Sequence, residues 1–146
     1  MFVFELQSVL EHRKIMEEMA LREFSDATVE LNAERLTMTA LVEKETLLIV
    51  QWRELAGQPA KASDFSLYTE YIRRVQQSLR DQAAVVIAAE EEVDRKRAAL
   101  LASVKERKIL ETLKEKKRQS YESWIAERER KTMDEVAILK FKWEES

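Results

Sequence analysis

The 146-residue chain has no cysteine, one glycine, one proline and one histidine. Without cysteine it can hold neither a disulfide framework nor a thiolate metal site. With a single glycine it cannot form the glycine-rich loop that cradles a phosphate. Turns draw heavily on Gly and Pro, and here Gly57 and Pro59 stand two residues apart. The chain therefore has material for one sharp break, which excludes a many-turned α/β or all-β domain. No apolar run approaches the roughly 20 residues that a membrane-spanning helix needs. Glu5, then Glu11, His12, Arg13 and Lys14, bring charge too early for a secretory signal. The expectation is a soluble cytosolic protein.

What remains is rich in charge and in helix-forming residues. Asp, Glu, Lys and Arg make up 36% of the chain, a composition that suits long helices and coiled coils. Spacing of alternately four and three residues selects Leu6, Leu10, Arg13, Glu17, Ala20, Phe24, Ala27, Leu31, Glu34, Met38, Leu41, Glu45, Leu48, Trp52 and Leu55. Eleven of these fifteen are apolar, the stripe of a coiled-coil seam. Arg13, Glu17, Glu34 and Glu45 interrupt it, and their long stems can lie across a narrow seam with the charge in water. The spacing predicts a helix over about 4–56. Gly57 is placed to end it in the left-handed conformation, and Pro59 blocks continuation. After a turn over about 57–63, Ser63 or Asp64 is expected to cap a second helix over about 64–142.

The second seam begins with Phe65, Tyr68, Ile72, Val75, Leu79, Gln82, Val86, Ala89, Val93, Lys96 and Leu100. After Leu100 its phase is expected to slip onto a rougher stripe of Val104, Ile109, Leu110 and Leu113. The fold class that follows is all-α, a two-helix antiparallel coiled-coil hairpin with unequal arms. Folding back near residue 60 pairs residue i with about residue 120 − i. The first arm then runs out near residues 115–117, and residues 118–146 overhang with Trp124, Met133, Ile138, Leu139, Phe141 and Trp143 exposed. Exposed apolar clusters mark interaction surfaces, so the overhang is expected to enter a partner. Near the turn, Trp52 and Tyr68 fall on facing seams and are expected to pack together, with Tyr71 one position off the seam as an exposed anchor.

Chemistry is sparse. His12 lies on the exposed side of the first helix. Asp134 and Glu135 are adjacent and so point about 100° apart rather than converging. No nucleophile is accompanied by a base. The expectation is a protein that is not an enzyme and holds no cofactor or metal. Residues 95–131 carry 13 basic and 6 acidic side chains, but the interleaved glutamates would oppose phosphate contacts. An acidic protein surface is preferred over nucleic acid.

One segment reads Lys108-Ile109-Leu110-Glu111-Thr112-Leu113-Lys114-Glu115-Lys116, followed by Tyr121 and then Glu129-Arg130-Lys131-Thr132-Met133-Asp134-Glu135. With the opening Phe4, Leu6, Val9, Leu10, Arg13 and the post-turn Tyr68, Tyr71, Ile72, Val75, Leu79, Gln82, it resembles the flagellar export protein family FliJ. It resembles the family's injectisome counterparts more distantly. The resemblance implies a helical hairpin acting as a stalk and adaptor of the flagellar type III export apparatus. It implies a monomer at the inner-membrane base of the flagellum that engages a hexameric export ATPase and the cytoplasmic domain of an export-gate membrane protein. Export chaperones and the ATPase regulator would be further partners. By the same resemblance Trp124, Met133, Asp134, Glu135, Ile138, Phe141 and Trp143 would meet the ATPase, and Leu48, Trp52, Tyr71, Val75, Ser78 and Gln82 the gate. Glu45 and Ser78 are more polar than that second surface would lead one to expect. A generic coiled-coil scaffold or dimerisation module and an injectisome stalk are the alternatives.

Overall fold

The computed structural model describes residues 1–59 and 61–145. They form two helices, α1 (Gln7–Ala56) and α2 (Ala62–Glu145), packed antiparallel as an all-α hairpin. The chain divides into two compact units. One combines Met1–Glu18 with Ala102–Ser146, and the other is Met19–Leu101.

In the unit Met19–Leu101 the 3.5-residue stripe explains the packing. Ala27, Leu31 and Val93 form a buried cluster, with Phe24, Val86 and Ala89 against it. Toward the turn Leu48 and Val75 are also buried. Every seam position of α2 from Phe65 to Leu100 is at least half-buried, including the polar Gln82 and Lys96. Gln82 is satisfied within the seam: its Nε2 donates to the Glu34 carbonyl at 3.0 Å and to Glu34 Oε2 at 2.5 Å. Glu34 and Gln82, polar interruptions of the two seams, therefore bridge them, which satisfies polar groups that are half-buried there.

The other unit has a smaller apolar core, in which Phe4 and Leu10 are buried. Of the rougher stripe expected after Leu100, Val104, Leu110 and Leu113 are half-buried and Ile109 is exposed. The same alternation runs on through Ser103, Arg107, Leu110 and Lys114, then drifts one residue to Arg118, Tyr121 and Ile125, all half-buried. An α-helix has 3.6 residues per turn, so a 3.5-residue stripe drifts by about 20° per heptad. Polar residues occupy the seam here, which hides it from an apolar pattern search, and Ile109 is 60% exposed. Arg107 donates to Glu17 across the seam and to Glu111 at 2.7 Å along α2. Arg13 meets Glu106 at 2.6 Å. Hydrogen bonding to Glu17 raises the Arg107 pKa further above its ordinary value. Arg13, Glu17 and Arg107 form a charged layer in place of an apolar one.

The helix ends differ from expectation. α1 starts at Gln7 rather than about residue 4, because Phe4 turns inward and its carbonyl accepts from Gln7 N at 3.1 Å. Gly57 does not take a left-handed conformation. The last turn instead tightens, with Gly57 N on Glu54 O and Gln58 N on Leu55 O, both at 3.2 Å, which satisfies helix-end carbonyls without positive φ. α2 begins at Ala62, so Ser63 and Asp64 lie inside its first turn rather than capping it. Asp64 N bonds to Lys61 O at 3.0 Å, and its carboxylate sits where the helix dipole favours negative charge. Ala60, within the expected turn, lies outside the described residues.

Candidate interaction surfaces

In the unit Met1–Glu18 with Ala102–Ser146, the segment before α1 covers α2 further than the helix itself could. The Met1 amino group donates to the Tyr121 hydroxyl at 2.6 Å, and the Phe2 ring lies 5.8 Å from the Tyr121 ring. Tyr121 and Ile125 are half-buried, and every residue over 126–145 is exposed. The overhang thus begins near residue 126 rather than 118, because Phe2 and Phe4 pack outside any helix.

Trp124 stands at the start of the overhang. Its ring is 6.1 Å from the Tyr121 ring, and the Arg128 guanidinium lies 4.8 Å from its centre. An arginine over an indole face is held by the ring quadrupole. Tyr121, Trp124, Ile125, Arg128, Glu129, Thr132 and Met133 line one open, shallow face of α2. Of the expected ATPase-facing residues, this face brings together Trp124 and Met133. Asp134, Glu135, Ile138, Phe141 and Trp143 follow on α2, all exposed. They do not share one side: at 100° per residue, Met133, Ile138 and Phe141 fall within about 140° of arc, and Trp143 lies about 80° outside it. From Met133 to Trp143 apolar residues appear on several sides of the helix, with Asp134, Glu135, Lys140 and Lys142 among them. Just before it, Arg118 bonds to Glu115 and Glu122, and hydrogen bonding to Arg118 holds the Glu115 carboxyl below the usual range.

The second surface lies in the unit Met19–Leu101, near the turn. Trp52 packs edge-on against Phe65 with centroids 6.4 Å apart, so its aromatic partner is Phe65 rather than the expected Tyr68. Lys44 Nζ sits 5.0 Å from the centre of the exposed Tyr71 ring. The six residues expected at the gate separate into two groups. Leu48 and Val75 are buried in the seam, and Gln82 is spent on Glu34, so these three shape the surface from beneath. Trp52, Tyr71 and Ser78 are exposed.

Sequence reasoning missed Leu47 and Leu67, which are exposed apolar residues near the same turn. The available signal was an aliphatic residue off the seam beside aromatic residues. It also missed Phe2, whose role depends on a non-helical segment that periodicity cannot see. Five of the thirteen basic side chains over 95–131 are paired with carboxylates: Arg95 with Glu92, Lys96 with Glu23, Arg97 with Asp94, Arg107 with Glu17 and Arg118 with Glu115. Among the described residues, no three His, Cys, Asp or Glu side chains group as a metal site. No helix in the described residues is long and apolar enough to cross a membrane.

Comparison with known proteins agrees with this geometry. The sequence model of the family described as "Flagellar FliJ protein" matches residues 2–146. No curated protein sequence matches. Among solved structures, a putative YscO homologue from Chlamydia trachomatis is similar with a TM-score of 0.53 and 21% identity, over 99% of this chain and 98% of that one. At that identity the likeness is one of fold.

Proposed function

Because the chain belongs to the flagellar FliJ family, we propose that it is a non-enzymatic stalk and adaptor of the flagellar export apparatus. Its α2 overhang enters the ring of the hexameric export ATPase, and the face bearing Trp52, Tyr71 and Ser78 meets the cytoplasmic domain of the export gate. That contact would hold it at the inner membrane at the flagellar base, with export chaperones and the ATPase regulator as further partners.

The observation that carries the reading is the overhang. Met133, Val136, Ile138, Leu139, Phe141 and Trp143 are all exposed on one continuous helix. At 100° per residue their directions leave only one sector of about 100°, which holds Glu135 and Lys142, so a flat surface could bury only some of them and a ring could bury all. Asp134, Glu135, Lys140 and Lys142 lie among them and would pair with ring side chains. The gate-facing surface rests on weaker support, namely exposed aromatics held in place by Phe65 and Lys44. Such rigid aromatics make good anchors.

The test is a pull-down with the export ATPase and, separately, with the gate's cytoplasmic domain. The full chain is compared with a chain lacking residues 126–146 and with Trp52→Ala/Tyr71→Ala. The truncation is expected to lose the ATPase and keep the gate, and the double substitution to do the reverse. Undiminished ATPase binding by the truncated chain would overturn the assignment of the overhang.

A further inference from the structure

The middle of α2 carries a second stripe, on the side of the helix turned away from the seam. Spacing of alternately three and four residues selects Glu91, Asp94, Ala98, Leu101, Lys105 and Lys108, all exposed. At 100° per residue they fall within an arc of about 100° on one uninterrupted helix. A 3.5-residue repeat on an exposed helix face fits one kind of occupant, a second helix in a coiled coil. The centre of the stripe is apolar, with Leu101 62% exposed. Its charges are segregated, acidic before the centre and basic after it. Among the described residues, Asp94 pairs with Arg97 at 3.1 Å along its own helix, and Glu91, Lys105 and Lys108 have no ion pair.

The order of these charges identifies the second helix. Reversing α2 end for end about the point between Ala99 and Leu100 sets Asp94 opposite Lys105, Glu91 opposite Lys108 and Ala98 opposite Leu101. Each pair occurs twice, so ion pairs flank an apolar centre on both sides. The match extends outward to Ile87 opposite Thr112 and Asp81 beside Lys116. The balance of the two halves agrees: residues 81–99 carry 5 acidic and 3 basic side chains, and residues 100–118 carry 7 basic and 3 acidic. Glu90 faces Glu111 in this register, but each carboxylate is already held by an arginine of its own copy, Arg35 at 3.3 Å and Arg107 at 2.7 Å. Parallel pairing would set Glu91, Asp94, Lys105 and Lys108 each against its like. Charge therefore selects both a second copy and its antiparallel direction.

We propose that two copies of this chain pair along the outward faces of α2 as an antiparallel, two-fold dimer with its axis between Ala99 and Leu100. The contact is isologous and closes on itself, so it gives dimers and not filaments. Its apolar centre is small and its ion pairs stay near water, so the association is reversible and weakens as salt screens the charges. The surface uses neither the overhang nor the face bearing Trp52, Tyr71 and Ser78. It adds a contact to the stalk reading and does not rest on it.

Charge reversal in the full chain tests it. Lys105→Glu/Lys108→Glu makes the four charges of the stripe all acidic, and Glu91→Lys/Asp94→Lys makes them all basic. In sedimentation equilibrium at low salt the unmodified chain is expected to dimerise. Each variant alone is expected to associate at least about tenfold more weakly, equivalent to ~1.4 kcal/mol, and an equimolar mixture of the two to regain the dimer. All four positions are exposed, and unchanged helicity by circular dichroism confirms that each variant keeps its hairpin. Because the chain has no cysteine, introduced thiols report the register. Ile87→Cys and Thr112→Cys are each expected to stay single under mild oxidation and to form a disulfide-linked dimer when mixed. An unmodified chain that stays monomeric across the concentration series overturns the proposal and leaves the stripe to a helix of another protein. So does a mixture no better associated than its components, and so does Ile87→Cys linking to itself, which would mean parallel pairing. The experiment contains neither ATPase nor gate domain, so its failure would leave the proposed function standing, and failure of either pull-down would leave the dimer standing.

Discussion

Leu10 and Ile109 belong to the same unit and look alike to a reader of apolar residues, yet they should respond oppositely to truncation. Leu10 is 1% exposed and Ile109 is 60% exposed. Leu10→Ala removes three carbons from the seam, a transfer loss of ~2.4 kcal/mol at about 0.8 kcal/mol per methylene. Buried Leu→Ala changes span about 2–5 kcal/mol, depending on how far the site collapses. A two-helix layer is open to water along both flanks, so little cavity persists and the cost should fall at ~2–3 kcal/mol. Ile109→Ala forfeits almost no burial and gains helix propensity, so its effect should lie within about 0.5 kcal/mol of zero. Urea titration followed by circular dichroism at 222 nm separates the two. Leu10→Ala should lower the midpoint at unchanged slope, and Ile109→Ala should leave it in place. Equal losses would mean that Ile109 is buried against the first arm as Leu10 is.

Two further expectations concern the turn and the charges. A Cβ at Gly57 would meet only the Glu54 carbonyl oxygen, at an unstrained 3.5 Å, and the residue does not have positive φ; Gly57→Ala should therefore stabilise by about 0.4–1 kcal/mol through the unfolded chain, and a lower melting temperature would refute the turn geometry. Hydrogen bonding to Arg95 holds the Glu92 carboxyl below its usual range, as Arg118 does for Glu115. A lowered folded-state pKa contributes stability above the unfolded-state value and loses it as pH falls through the folded-state value. Acid titration should therefore weaken the helices below the ordinary carboxylate range, and Glu92→Gln/Glu115→Gln should flatten that limb; an unchanged profile would mean that these pairs add nothing.

Periodicity made the hairpin legible, because a 3.5-residue stripe depends on few residues and survives interruption. Glu34 and Gln82 broke the apolar pattern and still marked seam positions, where they bond to each other. The same method was only partly right after Leu100, where Val104, Leu110 and Leu113 are half-buried as expected, but Arg107, Lys114 and Arg118 share the seam and Ile109 is exposed. An apolar count cannot distinguish a change of register from a change of chemistry at constant register. The partner surfaces were legible only in outline. Exposed aromatics can be guessed from spacing, but Leu48 and Val75 are core residues, and only packing reveals that. The reach of Met1 and Phe2 to Tyr121 depends on a segment without helical period, so the start of the overhang was misplaced by about eight residues.

The unit that carries the overhang is also the one with the smaller apolar core, and that combination has a consequence for dynamics. Its seam is held by Phe4, Leu10 and the charged layer of Arg13, Glu17 and Arg107, whereas Ala27, Leu31, Val93 and their neighbours form a buried apolar cluster in Met19–Leu101. A solitary helix of about 20 residues is marginal in water, and residues 126–145 have only one helix to belong to. Their backbone amides should exchange with solvent orders of magnitude faster than those of residues 24–31 in dilute protein, where opening is local. Enclosing the overhang in a partner should slow them, because the ordering then accompanies burial. Equal protection over 126–145 and 24–31 in the dilute protein would show that the overhang is ordered without a partner. The apolar residues around its circumference would then need an explanation other than enclosure.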